Sequence, residues 1–236
     1  MGRSNFEILA WEETELGPLC LRRRELLSQP GTIVTDVTLD HEMLMSSHLT
    51  LSERTLARHA LDMHEGSGLD VLVGGLGLGY TAYEVIVAGQ QRIDRVEVVE
   101  LLEPVIAWIQ QDLVPLAGAL RADSRIEIEQ GDVYARLAAA PGRRRHDLIL
   151  IDVDHSPDER LGSDDASSYF YSEPGLRSAR CHLADGGVLG VWSYASDSPF
   201  ATALRRVFDE VQVEPVTVVN DLVDEEQTDW LFFARG

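Results

Sequence analysis

From Leu69 to Glu100 the chain switches between short apolar runs and amphipathic spacing, and this alternation marks its organising unit. Leu69 to Val73 is a short run, apolar but for Asp70, rich in valine and leucine and too short for a helix, which predicts a buried parallel strand. Glycines at 74, 75, 77 and 79 follow at once, where a strand must turn tightly into a helix and a side chain would keep a ligand off the backbone. Tyr80 to Ala88 has helical spacing. Val96 to Val99 is a second apolar strand, ending on Glu100, which lies 21 positions after Gly79. An acid about 20 residues past such glycines reaches the hydroxyls of a bound ribose. A tight turn followed by a solvated glutamate would leave the same trace.

The rest of the chain repeats the theme. Phe6 to Trp11 and Leu19 to Arg22 predict a hairpin turning near Gly17, with Thr32 to Val37 as a third strand. These form a small N-terminal β cap over residues 1–48, ahead of a nucleoside-binding catalytic domain over 49–236. Thr50 and Glu53 carry the spacing of a capping box, opening a helix to about His64 with Leu51, Leu56 and Leu61 inward. Pro104 falls in the first turn of a helix bearing Val105, Ile106, Ile109 and Leu113. Arg125 to Glu129 alternates as a strand, and Val133 to Ala140 is a short helix. The basic turn at 141–145 reads as a solvated loop, and His146 to Ile151 as a fourth buried strand. Pro174 to Leu183 is helical, Gly186-Gly187 a turn, Val188 to Trp192 a fifth strand, and Phe200 to Val207 a helix. Gln212 to Val219 and Trp230 to Ala234 close the sheet around an acidic loop, Asp221 to Asp229. Tyr169-Phe-Tyr171 is expected to dock a helix onto that sheet. Strands alternating with helices at this rate predict an α/β fold, Rossmann-like and mostly parallel, with an antiparallel closing strand.

Composition narrows the function classes. The 236 residues carry a net charge of −20, and every basic residue is arginine. Such a surface repels a phosphate backbone and attracts cations, so nucleic acid is not an expected partner. No apolar run approaches the roughly 20 residues that span a bilayer, and the N-terminus lacks a signal-peptide layout. Cys20 and Cys181 are too few and too distant for a disulfide framework or a metal site. A cytoplasmic location, with no membrane and no metal, is the expectation.

Ligands of open α/β sheets bind beyond the carboxyl ends of the strands. Three such ends carry acids here: Glu100, Asp132, and Asp152 with Asp154. A carboxylate at Glu100 suits two ribose hydroxyls. Asp132, with the Val133 amide beside it, suits the amine edge of a base or, equally, capping of the next helix. Asp152 can bind an amine and accept its proton, or simply shape the turn. Asp154, His155 and Tyr80 are candidates to line the substrate pocket. Trp192 and Ser193 could wall it, though core packing suits Trp192 equally.

With these residues placed, the chain resembles the spermidine synthase superfamily, aminopropyltransferases built on the class I methyltransferase fold. Leu16-Gly-Pro-Leu19, the segment Met43 to Glu53, Gly74-Gly-Leu-Gly-Leu-Gly79, Glu100, Gly131-Asp132 and His146-Asp-Leu-Ile-Leu-Ile-Asp152 carry the resemblance. A bacterial spermidine synthase-like branch is approached more closely by 98–105, by Asp152-Val-Asp-His-Ser-Pro157 and by 186–193. The resemblance implies a sulfonium nucleoside, decarboxylated S-adenosylmethionine or S-adenosylmethionine, held by Gly75, Gly77, Gly79, Glu100, Leu101, Asp132 and Val133. Asp152 would take the catalytic aspartate's place, a small amine would be the acceptor, and the chain would form a homo-oligomer, a dimer. Gly77 stands where the superfamily's glycine loop has an aspartate, and Leu56-Ala-Arg58 replaces its tyrosine-histidine-glutamate signature. Methyl transfer from S-adenosylmethionine and a catalytically silent nucleoside-binding protein remain the alternatives.

Overall fold

The computed structural model describes residues 6–153, 165–193, 199–220 and 225–236. Four antiparallel strands form a small sheet: β1 (Phe6–Thr14), β2 (Gly17–Glu25), β3 (Ile33–Leu39) and β4 (Glu42–Ser46), in that order. The fourth strand replaces what the sequence suggested was a segment leading into the first helix. Ser46 holds it in place, its hydroxyl donating to Asp36 Oδ1 at 2.7 Å while Arg24 Nε donates to Asp36 Oδ2 at 2.5 Å. Asp36 is fully buried, so these charge-assisted bonds decide whether its burial is tolerated.

The chain then enters α1 (Leu51–Asp62), β5 (Leu69–Gly74), α2 (Tyr80–Gly89), β6 (Ile93–Glu100), α3 (Glu103–Gln110), α4 (Ala117–Ala122), β7 (Ile126–Gln130) and α5 (Val133–Ala138). It continues through β8 (His146–Ile151), α6 (Asp165–Phe170), α7 (Glu173–Arg180), β9 (Leu183–Ser193), α8 (Pro199–Val207), β10 (Glu210–Asn220) and β11 (Glu225–Arg235). The second sheet has seven strands in the order β10-β11-β9-β8-β5-β6-β7. Only β11 runs against its neighbours, inserted between β9 and β10.

Side-chain alternation splits the core in two. On β8, Leu148 and Leu150 join the cluster beneath α1 and α2, while Ile149 and Ile151 join the cluster beneath α5, α7 and α8. Residues i and i+2 of a strand share a face, so a strand covered on both sides must be apolar throughout. That is why β5 from Val71 and β8 from Leu148 read as unbroken apolar runs. Tyr171 and Phe170 pack with Phe200 in the second cluster, as expected of a docking helix.

Three local expectations are corrected. Thr50 makes no side-chain cap, and its hydroxyl instead accepts from Arg54 Nε at 3.2 Å. Gly186-Gly187 is no turn between elements but an irregularity within β9, where the pairing with β8 shifts between His146 and Leu148 and Gly186 takes φ +72°. The acidic loop is shorter than the sequence suggested, because 225–229 already belong to β11.

Candidate active site

The carboxyl ends of the parallel strands are knitted together by backbone bonds. Asp152 N–H donates to Gly74 O at 2.8 Å, Gly75 N–H to Val99 O at 2.9 Å, and Gly131 N–H to Glu100 O at 2.9 Å. Glu100, Asp132 and Asp152 thus stand at one rim, after β6, β7 and β8. The glycines make this crossing possible. A Cβ at Gly75, where φ is +92°, would lie 2.1 Å from the Asp152 carbonyl oxygen, and one at Gly79, φ +88°, would lie 2.3 Å from Leu120 Cδ1. At these two positions the missing side chain serves the protein's own packing. At Gly77 it accommodates Met45, whose sulfur would be 2.9 Å from an added Cβ.

Glu100 is buried, and each of its oxygens accepts an amide: Leu102 N–H at Oε1 and Leu76 N–H at Oε2, both 2.8 Å. Burial pushes its carboxyl above the usual glutamate range, against these backbone donors. The amides of Gly77 and Leu101 also point at this carboxylate. Asp132 caps α5, its Oδ1 accepting from Tyr134 N–H at 2.8 Å and Ala135 N–H at 3.2 Å. Its Oδ2 accepts nothing among the described residues. Val133 is buried against Gly74, and Leu101 is exposed beside Glu100.

On the other side of the glycine loop lies a cavity of about 440 Å³. That is within the range of small-molecule sites, roughly 300–1,000 Å³. Its walls come from both sheets: Met43 and Met45 on β4, Leu76 to Leu78 of the glycine loop, Tyr80, Trp192 and Val218. Three acids enter it, Glu53 from α1, Asp152 from the end of β8 and Asp229 from β11. Among the described residues none of the three pairs with an arginine or histidine. α1 is set against α2 by Glu84, buried, which accepts from Arg54 Nη1 at 2.6 Å and Arg58 Nε at 2.7 Å. Arg54 in turn lies over the Tyr80 ring, 5.1 Å from its centroid, and steadies that wall.

This enclosure changes how the acids titrate. Burial, with a lesser push from Asp229, raises Asp152 to about 6, against the hydrogen bond from Thr81. Burial and then the charges of Asp152 and Asp229 raise Glu53 to about 8. Burial also raises Tyr80.

Of the residues the sequence nominated, Asp152, Gly77, Tyr80 and Trp192 surround this cavity. Gly75, Gly79, Glu100, Leu101, Asp132 and Val133 lie along the rim beyond the glycine loop and do not line it. Asp154 and His155 fall outside the described residues. Glu53, Asp229 and Thr81 escaped notice. Glu53 has the spacing of a capping residue, yet its Oε2 accepts from Ser52 Oγ at 3.2 Å, and it faces the cavity. Asp229 sits in what reads as an acidic loop; the one signal was its place next to the apolar Trp230-Leu-Phe-Phe233.

The sequence matches no protein-family model and no curated protein. Among solved structures it is similar to spermidine synthase from Thermotoga maritima, at a TM-score of 0.72 and 16% identity, covering 97% of this chain and 72% of that one. A spermidine synthase in complex with the transition state analogue AdoDATO is similar at a TM-score of 0.70 and 17% identity, over 97% and 72% of the two chains. Both likenesses are of fold. The chain has a spermidine synthase-like fold.

Proposed function

We propose that the chain is a transferase that carries an aminopropyl group from decarboxylated S-adenosylmethionine to a small amine. The observation that carries this reading is Asp152, set at the strand rim in an apolar cavity with two further acids and no cation paired to them among the described residues. Such a cavity suits a compact, positively charged guest with a hydrocarbon body. The fold shared with a spermidine synthase solved with AdoDATO supports it.

The rim fits a nucleoside on the far side of the glycine loop. Glu100 would meet the ribose hydroxyls, Asp132 Oδ2 would accept from an exocyclic amine, and Gly77 borders both regions. A bound sulfonium nucleoside supplies a carbon next to charged sulfur that an amine can attack. The chain's part is then to align the amine and hold one proton. Asp152 takes the proton from the arriving ammonium, leaving a neutral nitrogen with a free lone pair. A carboxyl raised to about 6 remains ionised at neutral pH and is closer in basicity to an amine than an ordinary aspartate. Glu53, raised to about 8, is neutral in the empty cavity and can ionise beside a cation.

The test is mass analysis of products after incubation with decarboxylated S-adenosylmethionine or S-adenosylmethionine and a panel of amines. Methylthioadenosine and an aminopropylated amine are expected from the first donor. Formation of S-adenosylhomocysteine alone would make the chain a methyltransferase. No product, with no thermal stabilisation by either nucleoside at a hundred times any plausible Kd, where about 2.7 kcal/mol is expected, would leave a silent protein.

A further inference from the structure

Asp152 is held at three atoms. Its N–H is fixed to Gly74 O at 2.8 Å, and its carbonyl oxygen packs against Gly75 so closely that no Cβ fits there. Its Oδ2 accepts from the hydroxyl of Thr81, the second residue of α2, at 2.5 Å. The Thr81 side chain is buried, and its other oxygen neighbour, the Glu53 carbonyl, is 3.4 Å away. A hydroxyl has one proton to donate, and the shorter contact takes it. Asp152 Oδ1 accepts nothing among the described residues.

We propose that Thr81 is a positioning residue that occupies one oxygen of Asp152 and thereby turns the other into the cavity to meet the substrate ammonium. This rests on the reading of Asp152 as the proton acceptor. Rotation about the last side-chain bond exchanges the two oxygens without changing the result, since one always satisfies Thr81 and one always faces the cavity. The hydroxyl has a second effect. Donation to the ionised form favours it, opposing burial and the Asp229 carboxylate from β11; Glu53 from α1 also faces Asp152 but is neutral there at pH 7. Tyr80, also on α2, shares the cavity but is uncharged at neutral pH. Thr81 is therefore the one described side chain that holds Asp152 in its basic form.

Thr81→Val keeps the shape and removes the donor; Thr81→Ser keeps the donor. Both are examined in the full chain labelled with ¹³C at the aspartate carboxyls, the Asp152 signal being assigned by its loss in Asp152→Asn. In Thr81→Val the Asp152 midpoint is expected to rise by about one pH unit. Turnover should fall by about 10- to 100-fold, with the KM for the nucleoside donor unchanged. Thr81→Ser should return both to within about twofold of the parent. An unmoved midpoint in Thr81→Val, or a serine variant as impaired as the valine one, overturns the proposal. Should Thr81→Val fail to fold, Thr81→Ala carries the same comparison. If the parent turns over neither donor, the proposed function fails, and the carboxyl titration still decides whether Thr81 holds Asp152.

Discussion

The Leu76 amide donates to Glu100 Oε2 across 2.8 Å, so a single carboxylate joins the end of β6 to the glycine loop. With Leu102 donating to the other oxygen, Glu100 holds both amides. Glu100→Ala should lower unfolding stability by about 2–4 kcal/mol, roughly one desolvation penalty for each orphaned donor, and weaken binding of methylthioadenosine at least tenfold. Urea unfolding and calorimetric titration measure the two effects. A stable variant that binds normally would refute both roles.

Asp152→Asn is isosteric and keeps an oxygen for the Thr81 hydroxyl. It should abolish proton acceptance, lowering turnover by about 10²–10⁴-fold, with nucleoside affinity changed less than about threefold. Unaltered turnover would remove Asp152 from the chemistry.

On the proposed function, kcat/KM of the parent chain should decline below about pH 6, one decade per pH unit, as Asp152 takes up a proton. The sign follows from the base being the ionised form: activity is present above this value and lost beneath it. A profile flat from pH 5 to 7 would contradict it.

Glu53 offers a test that does not depend on activity. Its folded-state value is raised from 4.5 to about 8, so the folded protein binds the proton more tightly than the unfolded chain does. The stability associated with this group is complete below about pH 4.5 and lost as the pH climbs through 8. Glu53→Gln, always neutral, should melt near the parent at pH 5 and about 5 °C or more above it at pH 8.5. Equal melting shifts at both pH values would show that Glu53 is not buried as described.

Gly75→Ala combines a Cβ 2.1 Å from a backbone oxygen with a φ of +92°, and should cost more than about 3 kcal/mol. Gly142→Ala, with nothing within 4 Å of its added methyl, should stay within about 0.5 kcal/mol of the parent.

The order of elements was legible wherever a strand is covered on both faces. Leu69–Val73 and His146–Ile151 are apolar at every turn of the pleat or nearly so, and glycines mark where the first of them ends. β4 was not legible because Glu42-Met-Leu-Met-Ser46 does not alternate, its two-residue turn, Asp40-His41, takes positive φ without a glycine, and it pairs on one side only. The rim acids followed from topology alone. Glu53 was misread because a threonine three residues before a glutamate describes a cap and an inward-facing acid equally well; only the tertiary neighbours, Asp152 and Asp229, separate the two. Asp229 was hidden among acids that look solvated until β11 is known to run beside β9, where Trp230 pairs with Ser193.

The placement of β11 bears on how the molecule assembles. β10 joins the larger sheet through β11, its hairpin partner, which lies between it and β9. The hairpin is local, whereas its docking on β9 pairs Trp230 with Ser193 and Arg235 with Val188 across an intervening helix and strand, which carries the greater loop-closure cost. Since Asp229 arrives on the same strand, the pocket gains its third acid only when that hairpin docks, and a chain cut short before residue 225 would leave β9 as a bare edge and β10 without a partner.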